Sequence, residues 1–190
     1  FLFMNISGLI LWWPRNKAAK KQRFTIKWNA TWKRKNYDLH NVLGFYMTWV
    51  ALFIALTGLV WGFQWFAKSV YWVTSGGKTQ VEYYEPLSEK NRQLLAGVSV
   101  EDKVWEITKA NYPNAETIEI HYVEDDSVAI GAGANPDIST YWKADYRYYD
   151  QYTLEEIPVT HMYGRLANTS VADKIARMNY DIHVGAILGL

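Results

Sequence analysis

Apolar and polar segments alternate along the chain, and the longest apolar segment has the length of a membrane-spanning helix. Residues 39–67 contain no Asp, Glu, Lys or Arg and are bounded by Asp38 and Lys68. Because a helix rises about 1.5 Å per residue, roughly 20 such residues cross a hydrocarbon core of about 30 Å. Aromatic residues typical of an interfacial belt stand near its far end, namely Trp61, Trp65, Tyr71 and Trp72. The pattern predicts a transmembrane helix over residues 39–67.

Two shorter apolar segments stand at the ends of the sequence. Residues 1–13 are too short to span a membrane alone, and their positive charges follow the apolar run, whereas in a signal peptide they precede it. We predict that residues 1–13 are the tail of a truncated transmembrane helix and that residues 181–190 start the next one. The chain is then a fragment of a longer multi-pass protein.

Positive charge is concentrated in residues 14–38, although the whole chain carries a net charge of only +1. This segment holds nine Lys or Arg residues, which are Arg15, Lys17, Lys20, Lys21, Arg23, Lys27, Lys33, Arg34 and Lys35. Short loops rich in Lys and Arg stay in the cytoplasm, so 14–38 is predicted to be a basic cytoplasmic loop and 68–178 extracytoplasmic. Trp28 and Trp32 within the loop raise nucleic-acid binding as an alternative. A short loop held between two spans favours lipid headgroups as its partner, and we expect no nucleic acid.

The extracytoplasmic segment has the pattern of a small α+β domain. Ser99, with Asp102 as an imperfect capping box, starts a predicted helix whose apolar positions, including Val104 and Ile107, continue to Tyr112-Pro113. Strand patterns follow at 117–123, 127–131 and 140–149. The predicted fold class is membrane α-helical spans flanking a small extracytoplasmic α+β domain made of a helix and antiparallel strands.

A last amphipathic helix is predicted over residues 170–178. Val171, Ile175 and Met178 would share its apolar face. Such a helix is expected to lie at the membrane surface, next to the predicted span over 181–190.

One five-residue pattern, Asn-Tyr-Asp-x-His, occurs at 36–40 and again at 179–183, each time before an apolar run. Asp38 and Asp181 suit helix N-caps. His40 and His183 would then lie about two positions inside each helix, where an imidazole can act as an axial ligand of a non-covalent haem. The less specific interpretation is that both histidines reach out to lipid headgroups at the interface.

The histidines suggest two separate haem sites. The chain has no Cys, so thioether-attached haem, disulfides and thiol nucleophiles are excluded. Gly44, Gly185 and Gly189 would leave room for a flat macrocycle near the histidines. The predicted topology puts His40 at the cytoplasmic face and His183 at the outer face, about 30 Å apart. They would therefore ligate different haems, each with a second axial ligand from outside the fragment.

Other candidates for chemistry are weaker. His121 lies within the predicted strand 117–123 and His161 stands near a turn, and neither has a second ligand at metal-binding spacing. The adjacent acids Asp125-Asp126 and Glu155-Glu156 are typical of solvated turns. An aromatic stripe could form a docking face or part of the core, and it consists of Tyr141, Trp142, Tyr146, Tyr148 and Tyr149.

Several segments resemble the PepSY-associated transmembrane proteins, often called iron-regulated membrane proteins, which include siderophore reductases. They are SGLILWWPR at 7–15, the basic loop, NYDLHNVLGFY at 36–46, ALTGLVW at 55–61 and MNYDIHVGAILGL at 178–190. The stretch from Ser99 to YYDQYTLEEI at 148–157 resembles a PepSY module. Such modules usually close with Thr-Gly, whereas here Leu154 follows Thr153.

This resemblance implies a multi-pass protein of the bacterial inner (plasma) membrane in which residues 68–178 are periplasmic. It also implies two b-type haems per full-length protein, with His40 and His183 as iron ligands. The leading hypothesis is a haem-dependent oxidoreductase that passes electrons from an unknown donor to ferric iron in a siderophore or another iron complex. One alternative is a non-catalytic, membrane-anchored PepSY module that binds a peptide, a protease or an envelope partner. A transport subunit for the iron complex is a third.

Overall fold

The computed structural model describes residues 1–89 and 99–188 and divides into two compact units, Phe1–Gly62 and Phe63–Leu190. The division falls at Phe63, which has an extended backbone with φ −137° and ψ 107°. The helix before it ends at Gly62, a residue of low helix propensity. The uncharged run of residues 39–67 is thus interrupted, although the sequence predicted one helix there.

The first unit contains three helices, α1 (Leu2–Trp12), α2 (Lys17–Phe24) and α3 (Trp32–Gly62), and both α1 and α2 pack against α3. Aromatic rings make the contact: Trp12 stacks on Phe45 with ring centroids 4.6 Å apart, and Phe24 meets both rings edge-on at 5.0 Å. Such pairs add stability beyond the apolar area they bury. The basic segment 14–38 is therefore largely helical, which the sequence interpretation as a loop did not predict.

Among the described residues, α3 is the one helix long and apolar enough to cross a membrane. It begins at Trp32, seven positions earlier than predicted, because Lys and Arg are good helix formers and continue the helix into the basic segment. Only 6% of its apolar window is buried inside the protein. That exposure argues against the core helix of a soluble protein, whose apolar face is covered.

The second unit is built on a four-stranded antiparallel sheet in the order β1-β2-β3-β4. Its strands are β1 (Thr117–His121), β2 (Ile130–Asn135), β3 (Asp145–Tyr149) and β4 (Glu156–Ile157), and its helices are α4 (Gln64–Thr74), α5 (Val100–Asn111) and α6 (Val171–Val184). Short 3-10 turns occupy Leu166–Asn168 and Ala186–Leu188. The predicted helix followed by a strand meander is confirmed. Strand β4 is only two residues long and was not predicted.

One face of the sheet is covered by α5. Its core consists of Val104, Ile130, Ala132 and Tyr149, with Leu154 among the side chains packed around it. The opposite face carries the residues between these positions, Gly131 and Gly133 of β2 and Tyr146 and Tyr148 of β3. The alternation follows from the two-residue period of a strand.

Helix caps differ from the sequence prediction. Ser99 precedes α5, but its hydroxyl bonds to Glu101 and makes no cap to the backbone. The capping box is found at the start of α6, where the Ser170 hydroxyl and the Asp173 carboxylate bond each other's backbone N–H groups. Ser170 and Asp173 are three residues apart, which is the spacing of a capping box. The N-terminus of α6 can therefore be predicted from the sequence.

Helix α6 continues past Met178 to Val184 and ends at Gly185, whose φ of 83° places it in the left-handed region. This end is a glycine C-cap, because a side chain there would be strained. Residues 171–184 therefore form one continuous helix, whereas the sequence predicted an amphipathic helix up to residue 178 and a new helix starting at 181. Residues 189–190 lie outside the described residues, so the span itself stays a prediction.

Candidate functional site

Asp38 of the first Asn-Tyr-Asp-x-His copy lies inside α3, so the prediction that it is an N-cap was wrong. Its side chain is 1% exposed. One carboxylate oxygen accepts the backbone N–H of Lys27 at 3.2 Å, and the other forms an ion pair with Arg34 at 2.9 Å. The aspartate thus joins the segment after α2 to the early turns of α3.

Asp181 of the second copy also lies inside a helix, α6, and is not an N-cap. It is fully buried, and its two carboxylate oxygens accept the backbone N–H groups of Tyr141 and Trp142, both at 2.8 Å. Charge-assisted bonds of this kind are stronger than neutral ones. Asp181 thus lies inside a helix because it binds the loop at residues 141 and 142. The sequence alone did not indicate this contact.

Each histidine stands two residues after its aspartate, about 200° further around the helix. The aspartate therefore faces the protein while the histidine faces away from that contact. His40 is exposed, as this geometry requires, and His183 is half-buried in the last turn of α6.

His40 lines a cleft of about 220 Å³ between α1 and α3. Its walls are formed by Gly8, Leu9 and Trp12 of α1 and by His40, Asn41, Gly44, Phe45 and Thr48 of α3. A Cβ atom added at Gly8 or at Gly44 would meet no heavy atom within 4 Å. The two glycines are therefore not required by contact between the helices, and they leave the cleft flat and open.

These residues would contact one edge of a flat, largely apolar macrocycle, since a cleft of about 220 Å³ encloses only part of such a group. The cleft offers one imidazole, the large ring of Trp12 and two positions without side chains. A planar ligand can approach a helix backbone closely only where side chains are absent. Within the described residues no group of three or more His, Cys, Asp or Glu is placed to hold a bare metal ion. The donor set at His40 suits the iron of a haem, for which one imidazole serves as an axial ligand.

The predicted role of the two glycines near His183, to leave room for a macrocycle, stays a prediction. Gly185 ends α6 as its left-handed cap, and Gly189 lies outside the described residues. The imidazole of His183 stands on the final turn of a helix, where the carbonyl groups carry partial negative charge.

His161 is buried among tyrosine rings, which its position near a turn in the sequence did not indicate. It is 3% exposed, and its ring contacts those of Tyr83 and Tyr84, each with centroids 4.9 Å away. Its Nδ1 accepts the backbone N–H of Tyr163 at 3.2 Å, while Nε2 makes no hydrogen bond within the part of the chain that the structure describes. Burial lowers the pKa of this imidazole, although the backbone carbonyl of Tyr84 acts in the opposite direction.

The face of the sheet opposite α5 borders a groove of about 430 Å³, here called the tyrosine groove. Its lining includes His121, Tyr83, Tyr146, Tyr148 and Tyr163. The strand beneath has Gly133, where a Cβ would lie 3.2 Å from the Tyr146 ring, so the glycine lets that ring rest on the backbone. Burial raises the pKa of the Tyr146, Tyr148 and Tyr163 hydroxyls, which keeps them neutral donors at pH 7.

The predicted aromatic stripe is divided among three places. Tyr149 is in the core under α5, while Tyr146 and Tyr148 line the tyrosine groove. Tyr141 and Trp142 belong to the loop held by Asp181. The core interpretation thus holds for Tyr149, while the docking-face interpretation stays a prediction.

A family model described as PepSY-associated TM region matches residues 1–190. No curated protein matches the chain.

Proposed function

The chain belongs to the PepSY-associated TM region family, and from this premise we propose that it is part of a haem-containing electron-transfer protein of the bacterial inner membrane. The proposed reaction is the reduction of ferric iron, in a siderophore or another iron complex, on the periplasmic side. Residues 68–178 would then be periplasmic, in accordance with the basic residues that precede α3.

The cleft at His40 carries this proposal. An exposed imidazole beside two glycines, with space above both, is an arrangement that structural packing of α1 on α3 does not require. In the proposal, His40 would hold the iron through an imidazole nitrogen, Gly8 and Gly44 would admit the macrocycle, and Trp12 would pack against it. A bound b-type haem supplies one-electron chemistry, while the protein sets its position and surroundings.

His183 is proposed as the ligand of a second haem near the outer face. The topology expected from the basic segment places the start of α3 on the cytoplasmic side, so the two histidines would serve different sites. The second axial ligand of each iron would come from another part of the parent protein. Together the sites would give electrons from a cytoplasmic donor a path to the periplasm.

The test is the haem content of the full-length parent protein and of its His40→Ala and His183→Ala variants. We expect about two b-type haems per chain by reduced-minus-oxidised absorbance and pyridine haemochrome assay, and the loss of a different one in each variant. His121→Ala is the matched control, because this exposed imidazole lines the tyrosine groove and should leave both haems in place. A folded parent protein without haem, grown with haem available, would contradict the proposal.

The tyrosine groove favours a second candidate function, a membrane-anchored module that binds a peptide, a protease or an envelope partner. Aromatic-lined grooves of this kind recognise extended peptides by ring contacts and hydroxyl donors. A single preparation of the parent protein distinguishes the two candidate functions. A colourless parent protein that binds a partner, and loses it on Tyr148→Ala, would support the module.

A further inference from the structure

We propose that Asp38 and Asp181 are positioning residues, each of which fixes the helix segment that presents the histidine two residues later. This inference rests on the proposed function, since it concerns the two histidines as haem ligands. Each aspartate is almost completely buried, and each accepts a backbone N–H from a segment distant in sequence. The repeated pattern would then encode an anchor and a ligand on opposite sides of one helix.

The anchor in α6 is the more extensive. Besides the two bonds to Asp181, the buried Arg177 donates to the carbonyl of Ala144, and the ring of Tyr180 meets that of Tyr141 edge-on at 4.8 Å. Residues 177, 180 and 181 share one helix face, so three side chains of α6 hold one four-residue segment, 141–144. That segment leads directly into β3, which ties the end of α6 to the sheet.

The anchor in α3 uses fewer bonds. Asp38 binds the N–H of Lys27 and pairs with Arg34 one turn earlier on the same helix. Arg34 also lies over the ring of Tyr37, 5.4 Å from its centroid. A single backbone bond and a short-range ion pair thus hold the α2–α3 connection against the turn that precedes His40.

These anchors would act on the histidines through helix geometry. Two residues separate each aspartate from its histidine, so a rotation or a fraying of the anchored turn moves the imidazole directly. Residues that orient a metal ligand without touching the metal commonly change metal affinity ten- to a hundredfold when mutated. Functional groups must be held to within about 0.5 Å of the productive geometry, so a displaced imidazole would bind the iron less well.

The experiment compares Asp181→Asn and Asp38→Asn in the full-length parent protein loaded with haem. The two N–H donors of Tyr141 and Trp142 need two acceptors, whereas Asn supplies one and turns an NH₂ group toward the other. We expect Asp181→Asn to weaken retention of the haem assigned to His183 by about tenfold or more and to shift its electron paramagnetic resonance signal. Asp38→Asn should change only the other haem, and less strongly, because Asn can still accept the single N–H of Lys27.

Asp173→Asn is the control on the same helix. Asp173 is part of the capping box and accepts the hydroxyl of Tyr71 at 2.8 Å, but it is not bonded to segment 141–144. This variant should lower stability while leaving the signals of both haems unchanged. If Asp181→Asn loses both haems in proportion to unfolded protein, and the remaining haem has the wild-type signal, the aspartate is merely structural and the inference fails.

Arg177→Gln tests the same inference if the Asp181→Asn variant does not fold. This change removes a tie to Ala144 while Asp181 stays intact, and the same haem signal should shift in the same direction. An unchanged signal overturns the inference. Absence of haem from the wild-type protein would instead overturn the proposed function, while loss of amide protection at Tyr141 and Trp142 in Asp181→Asn would still establish the anchor.

Discussion

Leu154 is the residue whose conformation departs most from its chemical type. Its φ of 59° lies in the left-handed region, which costs a residue with a Cβ about 1–2 kcal/mol. The surrounding turn is held by Asp150, whose carboxylate accepts the N–H groups of Glu89, Tyr152 and Thr153 at 2.6, 2.8 and 2.9 Å. The turn thus keeps the geometry suited to the glycine usual in related modules, although leucine occupies the position.

Leu154→Gly and Leu154→Ala provide a test of this strain. Both changes delete the same packing against the core, but only glycine adopts a positive φ without cost. We expect Leu154→Gly to be more stable than Leu154→Ala by about 1 kcal/mol, measured by thermal unfolding of the full chain followed by tryptophan fluorescence. Equal stability of the two variants would show that the left-handed turn carries no penalty.

The buried aspartates mark a limit of what could be predicted at single positions. The repeat itself was visible in the sequence, and so was the spacing of two residues between each aspartate and its histidine. An Asp before an apolar run indicates an N-cap, yet Asp38 and Asp181 both lie within helices and bind main-chain N–H groups outside their own helix, at Lys27 and at Tyr141 and Trp142. Hydrogen bonds to backbone groups outside the helix cannot be predicted from the local pattern of residues.

Helices α1 and α3 form the candidate haem cleft as a pair, and neither helix forms it alone. Packing of Trp12 on Phe45 fixes the pair just beyond the glycines. Since a side chain at Gly8 or Gly44 would enter open space, bulk can be added there without disturbing either helix.

Gly44→Leu should therefore block the cleft and preserve the fold. We expect loss of the haem assigned to His40, with helix content by circular dichroism unchanged or slightly raised, since leucine favours helix over glycine. Gly62→Leu, on the same helix and also facing open space, is the matched control and should retain both haems. Retention of both haems in Gly44→Leu would place the ligand elsewhere.

The sequence predicted best those helices and strands whose apolar residues recur regularly or that end at a residue such as proline. Helix α5 ends at Asn111 before Tyr112-Pro113, as expected, because proline disfavours continuation. Strand β2 was placed too early, since its Gly-Ala repeat has weak strand propensity and is kept extended by its neighbours β1 and β3. The break at Phe63 was missed because the prediction rested on the absence of charge, and neither Gly62 nor Gln64 beside the break is charged.

The whole chain falls into two units, and each contains one copy of the Asn-Tyr-Asp-x-His pattern with a buried aspartate. The membrane helix belongs to the first unit and the PepSY-like sheet to the second. A buried aspartate followed two residues later by a histidine, present once in each unit, accords with the proposal that the two histidines serve two different haems.

The orientation of the protein can be tested with single cysteines, because the chain has none of its own. Lys20→Cys in α2 and Glu124→Cys after β1 place thiols at exposed positions of the two units. In spheroplasts, a membrane-impermeant maleimide should label Glu124→Cys at once and Lys20→Cys only after permeabilisation. The reverse order would invert the proposed topology, and labelling of both would contradict a membrane between them.

The bonds made by Asp181 have a consequence for how the sequence can vary. They engage main-chain N–H groups and no side-chain atom of residues 141 and 142. Every amino acid except proline supplies such a group. The side chain of Trp142 can therefore be exchanged without loss of either bond to Asp181, whereas an exchange at Tyr141 keeps both bonds and loses only the ring contact with Tyr180 on the helix that carries His183.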